Sequence, residues 1–166
     1  MIPTLIRSFT TWPDLTGWTR CALISAAGLA VIALLAFAGG FAHWQPRLDT
    51  WPLRLLSVMI VPALTEEAVF RGLLVPDKDE SRHPALWIGL GTIAFVLWHV
   101  IEAETFLPGA TLFLTPAFLA AAGVLGFSCA LMRYRTGSLW PCVLLHGFTV
   151  FVWQIFLSGP DVRSLL

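Results

Sequence analysis

The sequence predicts an all-α fold: a polytopic membrane helix bundle of about five transmembrane helices. Three observations carry that prediction. Hydrophobic residues fill 57% of the 166 positions, and mean hydropathy is +0.80. Charged residues make up 12%, about half the quarter that is usual in soluble domains. The apolar positions gather into runs of roughly 20 residues, the length that crosses a bilayer as a helix, and β-barrel alternation is absent. Ten Lys and Arg balance ten Asp and Glu, so neither net charge nor a polybasic run points to nucleic acid.

The first span is Cys21–Ala42, uncharged throughout. It is too long for a signal-peptide core and no convincing small-residue cleavage site follows, so it reads as a retained helix. The second, Leu55–Val75, contains "TEEAVFRG". The third, Pro84–Ile101, has His99 as its only ionisable side chain. The fourth, Phe106–Met132, has Pro108 and Pro116 near its start. Its Ala120, Ala121, Ala122, Gly123 and Gly126 are small enough to let helix backbones approach closely. The fifth, Thr136–Leu157, is interrupted only by His146. Trp18, Trp44, Trp51, Trp87 and Trp140 fall near span ends, where interfacial belts form. Cys21, Cys129 and Cys142 fit no zinc spacing and read as buried free thiols.

Five spans place Arg7, Arg20, Arg71, Lys78, Arg82, Arg133 and Arg135 on one side of the membrane. Only Arg47, Arg54 and Arg163 fall on the other. The excess directs the N-terminus into the cytoplasm and the C-terminus outward.

The second span raises the functional question. If its helix ended at Thr65, about eleven residues, roughly 16 Å, would lie in lipid, too short to cross. The helix is therefore expected to continue towards Pro76, with Glu66, Glu67 and Arg71 below the surface; a re-entrant hairpin is the alternative. Intramembrane charges are costly and mark function. Glu67 and Arg71 are spaced i,i+4 and can pair, while Glu66 points about 100° away. One carboxylate held charged beside another free to take up a proton is a general-base arrangement. Pro62 is expected to kink the helix and open room for water. Counted from the same side, Glu67 and His146 both lie roughly 13 Å deep, and His99 nearer 22 Å, a difference that tilt can level. His43 and His83, the turn of Asp77, Asp79 and Glu80, and the pair Glu102 and Glu104 read as solvated or interfacial.

Three motifs, each on its own apolar segment, now suggest a family. "EEAVFRG" resembles E-E-x-x-x-R, "FVLWH" (Phe95 to His99) resembles F-x-x-x-H, and "TGSLWPCVLLH" (Thr136 to His146) resembles a third region ending in histidine. In this order they resemble the CPBP family, the CAAX-protease and bacteriocin-processing (Abi-type) proteins, a group of glutamic-type intramembrane proteases. The resemblance covers roughly Leu55 to Phe156. It implies one integral membrane domain over 1–166, with 21–42 as an accessory first helix and 55–157 as the protease-like core. Carried over by position, Glu66 is the base that activates water, His146 helps hold that water or the oxyanion, and His99 supports the cluster. Glu67 and Arg71 orient and charge-balance it. The family's third motif ends H-x-x-x-N, and this chain has Val150 at that place. Losing one oxyanion donor costs about 10²–10³ in turnover. Gln154, one turn further, is the candidate polar support, and Thr149 is expected to point elsewhere.

The implied activity is endopeptidase cleavage near the C-terminal or juxtamembrane end of a membrane-tethered protein, with no cofactor. The implied partners are a membrane-anchored protein or peptide substrate and the lipid bilayer, and the implied location is a bacterial plasma membrane. A zinc peptidase is the second reading, with Glu66, His99 and His146 as ligands, although they come from separate helices and no H-E-x-x-H occurs. A third is a catalytically impaired scaffold in bacteriocin immunity or protein sorting, for which Val150 is the best evidence. A proton-coupled transporter would need a repeated pair of broken helices, which is not seen.

Overall fold

The computed structural model describes residues 2–107 and 109–160, so Pro108 and Arg163 lie outside the described residues. The described chain is all-α: α1 (Ile2–Thr10), α2 (Leu15–Ala38), α3 (Trp51–Val58), α4 (Thr65–Glu67), α5 (Pro84–Ile101), α6 (Pro116–Thr136) and α7 (Trp140–Phe156). Three helices are long and apolar enough to cross a bilayer: α2, α5 with its continuation to Phe106, and α6. α7 is apolar but shorter. The chain is an integral membrane protein.

Local chemistry explains where these bounds differ from the expected spans. α2 starts ahead of Cys21 because the Asp14 carboxylate caps it, accepting from the Gly17 N–H at 2.7 Å. It stops at Gly39 and Gly40, the latter at φ +73°, which favours glycine. The fourth span begins only at Pro116, where the Thr115 hydroxyl accepts from the Phe118 N–H and proline occupies the first turn. It ends at Gly137, whose φ of +70° lets its N–H reach the Arg133 carbonyl at 2.9 Å. That cap pushes the start of α7 to Trp140.

The expected second span is not one continuous helix. α3 ends at Val58, and Val61 adopts extended backbone (φ −129°, ψ 115°) immediately before Pro62. Beyond this break, α4 lies between the wide, π-helical segments Met59–Leu64 and Ala68–Leu73. The kink expected at Pro62 is present, set by the non-helical Val61 just before it, and the segment beyond it carries both carboxylates.

α6 is the central helix. Of its apolar window 61% is buried, against 17% for α2 and 22% for the α5 span. α2, α5 and α7 all pack on it. Ala121, Ala122 and Gly126 of the small-residue stripe are buried as expected, while Ala120 faces out. Gly28 of α2 lies so near that an added Cβ would sit 2.7 Å from the Ser128 hydroxyl. The outer surface is apolar: Leu23 and Leu34 of α2 are each 68% exposed, which water disfavours and lipid accepts. Cys21, Cys129 and Cys142 are free and buried.

α1 had no counterpart among the expected elements. It lies across one end of the bundle, where the Ser8 carbonyl accepts from the Leu139 N–H and the Phe9 carbonyl from the Trp140 indole, both at 2.9 Å. Arg7 of α1 pairs with Asp77 at 3.2 Å. Asp77 is thus buried rather than solvated, and it also accepts from the Asp79 and Glu80 N–H groups.

Candidate active site

The polar layer is built on one carboxylate oxygen. Glu67 Oε1 lies 3.2 Å from Arg71 Nη1 and 2.9 Å from His146 Nδ1, joining the broken helix to α7. Glu67 and Arg71 are completely buried and His146 nearly so. The i,i+4 pair expected from spacing is therefore present. A carboxylate held beside a guanidinium only accepts, so the imidazole Nδ1–H donates and the ring turns Nε2 away from Glu67.

Arg71 is held on three sides. Its Nη2 donates to the Gly126 carbonyl at 3.0 Å, and its guanidinium carbon lies 4.2 Å from the centre of the Phe95 ring. The approach depends on glycine, since a Cβ at Gly126 would meet Arg71 Nη2 at 3.2 Å and Phe95 at 3.1 Å. Phe95 also orients His99, because its carbonyl accepts from His99 Nδ1–H at 2.9 Å. The Phe95 ring stands edge-on to both histidines, 4.7 Å from His99 and 5.6 Å from His146 between centroids. One phenylalanine thus spaces both histidines and the arginine, which the four-residue interval in "FVLWH" permits on a single helix face.

Glu66 plays no part in that network. It is half-buried, and its Oε2 is screened from solvent without a hydrogen-bond partner. It lines a cavity of about 520 Å³ together with His99, His146, Val150 and Gln154, so the depth difference expected for His99 does not separate it from the others. Gln154 is buried, and its Oε1 has no partner. Thr149, expected to point elsewhere, lines the cavity too, but its hydroxyl donates to the Leu145 carbonyl at 2.7 Å. Val61 and Pro62 also line it, so the break in the second span forms part of the wall. The remaining wall is largely apolar, including Leu29 and Ile32 of α2 and Phe113, Phe118 and Leu125.

Glu102 was assigned to the interface, yet it lines this cavity and is half-buried. It follows His99 by three residues, and that i,i+3 spacing was the available signal. Gly126 and Phe95 were likewise read only for packing or as motif letters. Among the described residues, Glu67, Cys129 and Cys142 form the His/Cys/Asp/Glu cluster whose ligand atoms lie within 4.8 Å of one another. The Glu66, His99 and His146 set does not reach that closeness.

Residues 48–152 match the family model described as "Type II CAAX prenyl endopeptidase Rce1-like", a range holding all three motifs and every cavity-lining His and Glu named above. Neither the curated proteins nor the solved structures gave a match.

Proposed function

The chain belongs to the type II CAAX prenyl endopeptidase Rce1-like family, and from that premise we propose that it is an intramembrane endopeptidase using Glu66 to activate water. The target is a peptide bond near the C-terminal or juxtamembrane end of a membrane-tethered protein. The observation that carries this reading is the division of labour between adjacent carboxylates: Glu67 is spent on Arg71 and His146, and Glu66, outside that network, lines the cavity with its Oε2 unbonded.

Glu66 takes a proton from water as the oxygen attacks the scissile carbonyl. The C–N bond then breaks, and the same proton passes to the leaving nitrogen. His146, fixed through Nδ1 by Glu67, presents Nε2 to the water or the developing oxyanion, and His99 presents its own Nε2 to the same space. No cofactor enters these steps. The apolar wall from α2 suits a lipid-modified or hydrophobic segment beside the scissile bond. The cavity runs towards the bundle end that carries Phe41, Ala42, Arg54 and Leu157, opposite α1. Arg7, Arg20, Lys78 and Arg135 gather at the α1 end of the bundle and Arg47 and Arg54 at the other, an excess that supports an N-terminus on the cytoplasmic side of a bacterial plasma membrane.

The direct test is hydrolysis of a prenylated CAAX reporter peptide by the purified chain in proteoliposomes. Activity unchanged by strong chelators is expected. Activity lost to a chelator and restored by zinc would transfer Glu66, His99 and His146 to the metal reading.

Val150 keeps the impaired-scaffold reading alive, because it puts an alkyl group on the cavity wall where the family has a donor. Gln154, with an amide that no protein group satisfies at its oxygen, is the available substitute donor. Gln154→Leu is expected to lower kcat by about 10²–10³, the cost of one oxyanion donor. Val150→Asn is expected to restore most of that loss. A Gln154→Leu protein of undiminished kcat would remove Gln154 from the mechanism.

A further inference from the structure

A second concavity, of about 420 Å³, lies at the end of the bundle where α2 begins and α6 finishes. Three cations from three separate segments line it: Arg20 of α2, Lys78 of the loop before α5, and Arg135 of α6. None of them makes an ion pair or a side-chain hydrogen bond within the described residues. The arrangement is held in place: the Lys78 N–H donates to the Tyr134 carbonyl at 2.9 Å, and the Tyr134 hydroxyl donates to the Ser81 carbonyl at 2.6 Å. The acidic groups of the same loop face elsewhere. Asp77 and Asp79 turn to Arg7 at 3.2 and 3.7 Å, and Glu80 lies 3.9 Å from both Arg7 and Arg133. Asp14 is the one carboxylate on the lining, and its Oδ1 accepts from the Gly17 N–H.

Three cations against one occupied carboxylate leave a net positive pocket with no protein anion to fill it. Its position selects the kind of anion. It sits at the ends of two spanning helices, where headgroups lie. Trp12 on its rim stacks on Trp140 at 5.3 Å, and Leu15 and Leu23 of α2 beside it are 84% and 68% exposed. A phosphate in the pocket would therefore have acyl chains running down an apolar helix flank. We propose that this pocket binds the phosphate of an anionic phospholipid headgroup. Basic pockets between membrane helices recognise such headgroups through this combination of clustered cations and interfacial depth.

The test titrates the full chain, purified in neutral detergent, with phosphatidylglycerol, phosphatidylcholine or inorganic phosphate, reading adducts by native mass spectrometry and the thermal midpoint in parallel. Phosphatidylglycerol is expected to give a saturable first adduct and a raised midpoint, and phosphatidylcholine neither. The R20Q/K78Q/R135Q protein is expected to hold that adduct at least about tenfold more weakly. R82Q removes an exposed cation of the same loop outside the pocket and is expected to change it less than about twofold. If the triple variant fails to purify folded, K78Q alone is expected to show a smaller loss in the same direction. Equal retention of both lipids, or an R82Q loss matching the triple variant's, overturns the proposal. Stabilisation by inorganic phosphate as strong as that by phosphatidylglycerol overturns the lipid assignment in favour of a soluble anion.

Discussion

Glu66→Gln is expected to lower hydrolysis of the prenylated reporter by about 10²–10⁴ while the bundle stays assembled. The substitution keeps the shape of the side chain and removes the proton-accepting oxygen. Because Glu66 makes no hydrogen bond to Arg71 or His146, the thermal midpoint in detergent should move little. The neighbouring variant separates the roles. Glu67→Gln removes the charge that holds both Arg71 and His146, so it should lose activity and stability together. In cells, a membrane proteome carrying Glu66→Ala should accumulate an uncut precursor. A Glu66→Gln protein with full activity would sink the glutamate mechanism, and a phenotype that survives it but not deletion would favour the scaffold.

Arg71→Met carries the largest expected stability effect, about 3–5 kcal/mol, the usual cost of stranding one member of a buried ion pair. It leaves the fully enclosed Glu67 without its guanidinium partner and strips the Gly126 carbonyl of its donor. Arg71→Lys should recover only part of the loss, because one ammonium does not reproduce the planar fork that reaches Glu67 and Gly126 together. The double variant Glu67→Gln/Arg71→Met should cost clearly less than the sum of its single changes, since neither charge is then left alone. Additive losses in unfolding titrations would show that the pair does not act as a unit.

Much of this was legible in the sequence because it depends on local spacing. The i,i+4 interval paired Glu67 with Arg71, and both are buried as their apolar flanks led one to expect. Apolar run length located α5 from Pro84 to Ile101 and placed α7 close to its bounds, but α2 starts well ahead of the expected Cys21 and α6 well after the expected Phe106. What escaped depends on contacts between distant segments or on single caps. Asp14 and Thr115 moved helix starts through one side-chain hydrogen bond each. The partnership of His146 with Glu67, rather than with Glu66, required knowing which way two helices face. Glu102 was lost because α5 was taken to end at Ile101, whereas the helix continues in a wider turn to Phe106.

The break at Val61 has a consequence for how the chain enters the bilayer. A helix is inserted as a unit, and each charge near its centre adds about 2.5–3.5 kcal/mol on the insertion scale. Three charges between Glu66 and Arg71 would make this segment a poor candidate for leaving the translocon alone. Its apolar first half, α3, can part from water independently, because the backbone turns before the charged half begins. The charged half then has reason to settle only when Gly126 of α6 and His146 of α7 are there to receive it. Both arrive later in synthesis. The polar centre of this protein is therefore completed last, after every helix that must surround it has been made.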